Sequence, residues 1–147
     1  MKKGIVLSIL AIITLVIYAN CEKNKSKVYP VEGTAPPIHI KDPATSVRWN
    51  SVGILDDSIA KKIAVEQTNS RRTPTNTLEV WAQLRNRTDY PLQVEARVQF
   101  FDANKAPIEG PTSWKRIYLP ANSIATYSMF STRIDVSYYY IEIREGK

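Results

Sequence analysis

The 147-residue chain has one cysteine, Cys21, and one histidine, His39. A single cysteine excludes an internal disulfide framework and any cysteine-built zinc or iron–sulfur cage. A single histidine excludes a multi-histidine metal centre and leaves little for a Ser-His-Asp arrangement. The five glycines are nowhere spaced as in a phosphate-cradling loop,. Adjacent carboxylates occur once, at Asp56-Asp57. General acid–base chemistry needs a positioned pair with tuned pKa values, and capping of a short helix accounts for these two more simply. These absences point to a non-catalytic protein with no cofactor, no metal and no catalytic residues.

The formal charge of +6 does not mark a polyanion binder. Residues 47–147 carry 14 basic and 11 acidic side chains, interspersed along the chain. That is a solvated mixed surface rather than a basic stripe, so no nucleic-acid partner is expected.

What is present begins with a signal. Lys2 and Lys3 precede an uncharged run from Gly4 to Ala19, closed by Asn20 and Cys21. Two lysines before a short apolar run, ended by small or polar residues, is the layout of a secretory signal peptide. The run spans 16 residues, short of the roughly 20 that a membrane-crossing helix needs,. An uncleaved signal-anchor is the alternative. Tyr18-Ala19-Asn20-Cys21 resembles a bacterial lipobox, with Tyr18 and Asn20 where Leu and a small residue are usual. The resemblance implies cleavage after residue 20 and lipidation of Cys21. Two or three acyl chains anchor a protein firmly where one is marginal. Aspartate after the cysteine favours inner-membrane retention; Glu22 stands there, which leaves the sorting signal open, and the expected site is the outer membrane, periplasmic face. Inner-membrane retention is the alternative.

Residues 21–46 read as a flexible tether. Pro30, Pro36, Pro37 and Pro43 fall within fourteen residues, a density that disfavours helix and sheet ladders. His39 lies in this segment and is expected to be solvated.

From Val47 the apolar pattern has period two. Leu78, Val80, Ala82 and Leu84 alternate with Glu79, Trp81, Gln83 and Arg85, and Leu92 to Phe100 repeat the pattern. Strict alternation predicts half-buried antiparallel strands. The turn-forming stretch 86–91 predicts a hairpin, with Leu84 opposite Leu92 and Glu79 opposite Arg97. Further strands are expected over 47–53, 63–69, 114–119, 122–130 and 137–145. Asp56-Asp57-Ser58 would cap one helical turn, Asp102 and Asn104 would bend the chain, and 70–76 reads as an exposed loop. Seven short strands with no strand–helix–strand alternation predict an all-β fold. It is an antiparallel immunoglobulin-like β-sandwich over residues 47–147, preceded by a signal peptide (1–20) and tether (21–46).

Leu78-Glu-Val-Trp-Ala-Gln-Leu-Arg-Asn-Arg-Thr88, Val98-Gln-Phe-Phe-Asp102, Trp114 and Tyr118-Leu-Pro-Ala-Asn-Ser123 resemble the YcfL-like family of bacterial envelope lipoproteins. The likeness covers roughly 49–144. It implies a periplasmic immunoglobulin-type sandwich with no established activity.

Aromatics in excess on the outward parity mark the candidate contact surface. Trp81 and Phe101 take the polar-facing positions of their strands, and Tyr138-Tyr139-Tyr140 must place rings on both faces. Large rings on a wet face mark contact sites; the alternative is that they cover a sheet edge or stack on an arginine such as Arg97. The expected function is a lipid-anchored, non-catalytic accessory module whose aromatic face (Trp81, Phe101, Arg97, Tyr138, Tyr139, Tyr140) contacts an envelope protein. The alternatives are binding of peptidoglycan or anionic lipid through exposed arginines such as Arg71-Arg72 and Lys115-Arg116, and a structural subunit of a secretion or surface machine.

Overall fold

A computed structural model describes Val28, the backbone of Ile38 and His39, and residues 49–146. The expected signal peptide, Cys21 and most of the expected tether lie outside the described residues. The strands are β1 (Ile38–His39), β2 (Ser51–Ile54), β3 (Ile63–Arg72), β4 (Leu78–Asn86), β5 (Leu92–Phe101), β6 (Lys115–Leu119), β7 (Ile124–Phe130) and β8 (Tyr138–Glu145). One helical turn, α1 (Asp57–Ala60), joins β2 to β3. The strands form two sheets, β1-β2-β8-β5-β6 and β3-β4-β7, an all-β sandwich as the alternation predicts, except that β2 pairs in parallel with β1 and β8 rather than antiparallel as expected.

The core is the interdigitated inner faces. Val80, Ala82, Leu84 and Tyr127 of the three-stranded sheet pack with Val94, Val98, Leu119, Ile141 and Ile143 of the other. Period-two side chains place these residues inward and their neighbours outward.

β4 and β5 are not a hairpin. They belong to different sheets, so their apolar faces meet across the core instead of side by side. Glu79 therefore lies opposite Arg71, and Arg97 opposite Glu142. The stretch after β4 crosses between layers, held by Asn86, which is 1% exposed. Its Nδ2 donates to the carbonyls of Tyr90, Leu119 and Pro120, and its Oδ1 accepts from Thr88 N–H and Oγ1. One buried amide thus ties the crossover to the β6–β7 turn.

Two further expectations are refined. Asp56 sits at the N-cap of α1 without a side-chain cap bond; its Oδ2 accepts instead from the Glu145 N–H at 2.7 Å. β3 runs three residues past the expected end, so Arg71 and Arg72 are strand residues and the turn begins at Thr73. Asp102 does bend the chain as expected, its Oδ1 accepting from Asn104 and Ala106 N–H.

Within the expected tether, Ile38–His39 forms a parallel edge strand on β2, Ile38 opposite Gly53 and His39 opposite Ile54. Val28 bridges to Thr88. His39 is thus part of a sheet ladder, not a residue of free chain. An exposed strand edge is a template for any extended segment, and two residues suffice to use it here.

Candidate functional site: the outer face of the five-stranded sheet

The pairing of β5 with β8 sets this face. Register places Phe101 opposite Tyr138, Gln99 opposite Tyr140, Arg97 opposite Glu142 and Glu95 opposite Arg144. β6 adds Arg116 opposite Glu95. Each charged pair is directly cross-strand, where side chains of opposite sign stabilise a sheet.

The ion pairs are close. Arg97 Nε lies 2.5 Å from Glu142 Oε2. Glu95 accepts from Arg144 through Oε2 (Nε 3.0 Å, Nη2 2.8 Å) and from Arg116 Nη2 through Oε1 at 3.3 Å. The Arg144 hydrogen bonds, and after them those of Arg116, hold the Glu95 carboxyl below its ordinary value against the opposing effect of burial,. Trp114, from the segment before β6, lays its indole against two of these cations. Arg144 Cζ is 4.0 Å and Arg97 Cζ 4.5 Å from the ring centroid. Guanidinium at that distance is attracted by the ring quadrupole.

At the end of the face where β5 stops and β8 starts, three aromatics cluster. Trp49 meets Phe101 edge-on, centroids 4.8 Å apart at 81°, and Tyr138 at 5.8 Å. Lys105 Nζ lies 5.7 Å over the Trp49 ring. Trp49, Phe101, Trp114 and Tyr138 are all half-buried, presenting part of each ring outward.

The six residues expected to form one face are distributed over three places. Phe101, Arg97 and Tyr138 share this surface. Trp81 lies on the outer face of the other sheet, between Asn69 and Ser128, with Arg71 Cζ 5.9 Å from its ring. β4 and β5 are in opposite layers, so their outward residues point to opposite sides of the molecule. Tyr139 is a core residue, 2% exposed, its hydroxyl 3.1 Å from Thr68 Oγ1. Tyr140 has the outward parity yet is 5% exposed, and its hydroxyl has no hydrogen-bond partner among the described residues. Burial, with the Glu142 charge adding to it, pushes the Tyr140 hydroxyl up to about 12. Tyr139 and Tyr140 therefore leave the candidate surface. Trp49, Trp114, Glu95 and Arg144 join it. The signal for Glu95 and Arg144 was the matching alternation of charges at 95/97 and 142/144, readable only once β5 and β8 are known to be neighbours.

The arginines are engaged elsewhere too. Arg71 holds Glu79 and Arg85 holds Glu66, each at 2.5 Å. Arg72 donates to the carbonyls of Asn76, Ile134 and Val136. Among the described residues no helix is long and apolar enough to cross a membrane.

Residues 50–145 match the family described as "Protein of unknown function (DUF1425)". The fold is similar to the crystal structure of Campylobacter jejuni cj0090, with a TM-score of 0.53 and 18% identity over 66% of this chain and 99% of that one. It is also similar to a DUF1425 family member from Shewanella sp. pv-4, with a TM-score of 0.52 and 16% identity over 58% of this chain and 79% of that one. At these identities the likeness concerns the fold. No curated protein sequence shows significant similarity to the chain.

Proposed function

The chain belongs to the DUF1425 family, and from that premise we propose that it is a lipid-anchored, non-catalytic accessory module of the bacterial envelope, of the YcfL-like lipoprotein type. Cys21 receives the lipid, the outer membrane holds the anchor, and the sandwich faces the periplasm. The outer face of the five-stranded sheet contacts a partner protein.

One observation carries the contact surface. Where a solvated sheet face would be polar, this one exposes parts of Trp49, Phe101, Tyr138 and Trp114, framed by arginines. Aromatic and arginine side chains on rigid strands are the residues that dominate protein-binding hot spots. Confinement to a membrane surface lets individually weak contacts suffice, because it raises effective concentration. The pairing of Arg71, Arg85, Arg97, Arg116 and Arg144 with carboxylates weighs against the rival reading, capture of anionic lipid or cell wall by free arginines.

Two measurements test the proposal. Intact-mass spectrometry of the protein from host membranes is expected to give residues 21–147 plus acyl chains, lost in Cys21→Ser; a full-length unmodified mass refutes the lipid anchor in favour of an uncleaved signal-anchor. Affinity capture of envelope proteins is expected to fail with Phe101→Glu and to persist with Trp81→Glu, which charges the opposite side. Both variants should keep the wild-type circular dichroism. Capture that survives Phe101→Glu removes this face from the site, and capture that collapses at high salt favours the charge-led reading.

A further inference from the structure

Sheet edges are templates for unwanted pairing, and proteins blunt them with charges, proline, bulges or brevity. Among the described residues the two sheets have four edges, and three of them are blunted. β1 has two residues. β6 has five, opening with Lys115-Arg116 and stopped by Pro120. β3 carries a register shift between Val65 and Gln67, and Glu66, Arg71 and Arg72 along its length.

β7 has none of these devices. Ile124-Ala-Thr-Tyr-Ser-Met-Phe130 contains no charge, proline or glycine, and pairs with β4 in unbroken register from Ile124 to Phe130. Asn86 N–H donates to Ser123 O and Ser131 N–H to Leu78 O. By the alternation of an antiparallel ladder, odd-numbered residues of β7 bond to β4. Ile124, Thr126, Ser128 and Phe130 therefore aim their N–H and C=O groups at the outer edge of the sheet, which no strand among the described residues covers. The same four side chains lie on the outer face, where Ile124 is 49% and Phe130 53% exposed.

We infer that β7 is a self-pairing edge: two copies of this chain join β7 to β7 antiparallel, about a two-fold axis through Tyr127. The occupant follows from the strand's pattern, which is self-complementary about its centre. Antiparallel pairing at Tyr127 sets Ile124 of each copy against Phe130 of the other, and Thr126 against Ser128. Both exposed apolar residues then gain an apolar partner, and the two hydroxyl residues face each other. No like charges meet, because the strand has none. The interface is isologous and closes at two copies, merging the two three-stranded sheets into one of six strands. It lies on the opposite layer from the aromatic face, so neither surface obstructs the other.

Sedimentation equilibrium of the full chain in density-matched detergent tests the pairing. The expected result is twice the mass of one chain, falling to a single chain in Thr126→Lys/Ser128→Lys, with unchanged circular dichroism. A wild-type monomer overturns the inference; so does a dimer that survives the double substitution. Should the lysine variant fail to fold, co-expressed chains carrying Thr126→Cys and Ser128→Cys decide the matter. They are expected to form a reducible dimer in intact cells that neither chain forms alone. If they form none, or if β7 is instead covered by a strand of a different protein that cross-links to these cysteines, the inference is wrong.

Discussion

Arg144 grips a single oxygen of Glu95 with two nitrogens, at 3.0 and 2.8 Å, while its guanidinium carbon lies 4.0 Å from the Trp114 ring centroid. One planar cation thus serves a carboxylate at its edge and an indole at its ring contact. A lysine can supply the charge but neither the paired donors nor the flat stacking surface. Arg144→Lys is expected to lose about 1 kcal/mol of the stacking contribution, read as a lower urea midpoint with an unchanged slope. An unchanged midpoint would mean Trp114 is held by its backbone alone.

Glu95 gives this face an acid sensitivity. Its carboxyl is held below the ordinary 4.5, first by the Arg144 hydrogen bonds and then by those of Arg116. A depressed folded-state pKa stabilises the fold above the unfolded value, and that contribution is lost as pH falls through the folded value. Glu95→Gln is expected to melt below wild type at neutral pH. The two melting curves should converge as pH drops below 4.5. A gap that persists into strong acid would assign the loss to packing rather than charge.

Tyr140 predicts a slope at the other end of the pH scale. Its buried hydroxyl has no hydrogen-bond partner among the described residues, and burial pushes it up from 10.0 to about 12. A raised folded-state value leaves stability whole below the unfolded value and erodes it as pH climbs from 10.0 to about 12,. Tyr140→Phe is expected to remove its share of that alkaline slope and to stabilise the protein at neutral pH by about 1 kcal/mol, because an unsatisfied buried hydroxyl is deleted. Melting curves across the alkaline range would show both effects.

Asn86 is the polar group the fold can least lose. Its two amide N–H groups are shared among three carbonyls and its oxygen accepts two bonds, in a site 1% exposed. Asn86→Ala orphans several buried backbone groups at once and is expected to cost about 3 kcal/mol or more. Chemical denaturation measures it. A loss under 1 kcal/mol would require water to replace the amide.

The alternation of Leu78–Leu84 and Leu92–Phe100 announced two amphipathic strands, and both are present. It did not say how they meet. Consecutive strands joined by a short loop can pair edge to edge or stack face to face, and either arrangement buries the same parity of side chains. Asn86 decides between them, through carbonyls 33 and 34 residues away in sequence, and no local pattern reports such partners. The tyrosine run shows a similar limit. Parity correctly turns Tyr139 from its neighbours, but Tyr140 is buried from the nominally wet side. Arg97 was readable as an outward cation; its partners, Glu142 and Trp114, come from segments that only the tertiary fold brings together.

The parallel pairing of β2 with β8 also sets how the domain bears tension. Ser51 lies opposite Tyr140 and Ile54 opposite Ile143, so the two strands point the same way. Trp49 sits beside Tyr138 at one pole, and Gly146 donates to Gln93 at the other. A pull that separates residue 49 from residue 146 drags these strands past each other lengthwise. Their rungs are then loaded together instead of peeling one by one, which makes the β2–β8 ladder a mechanical clamp.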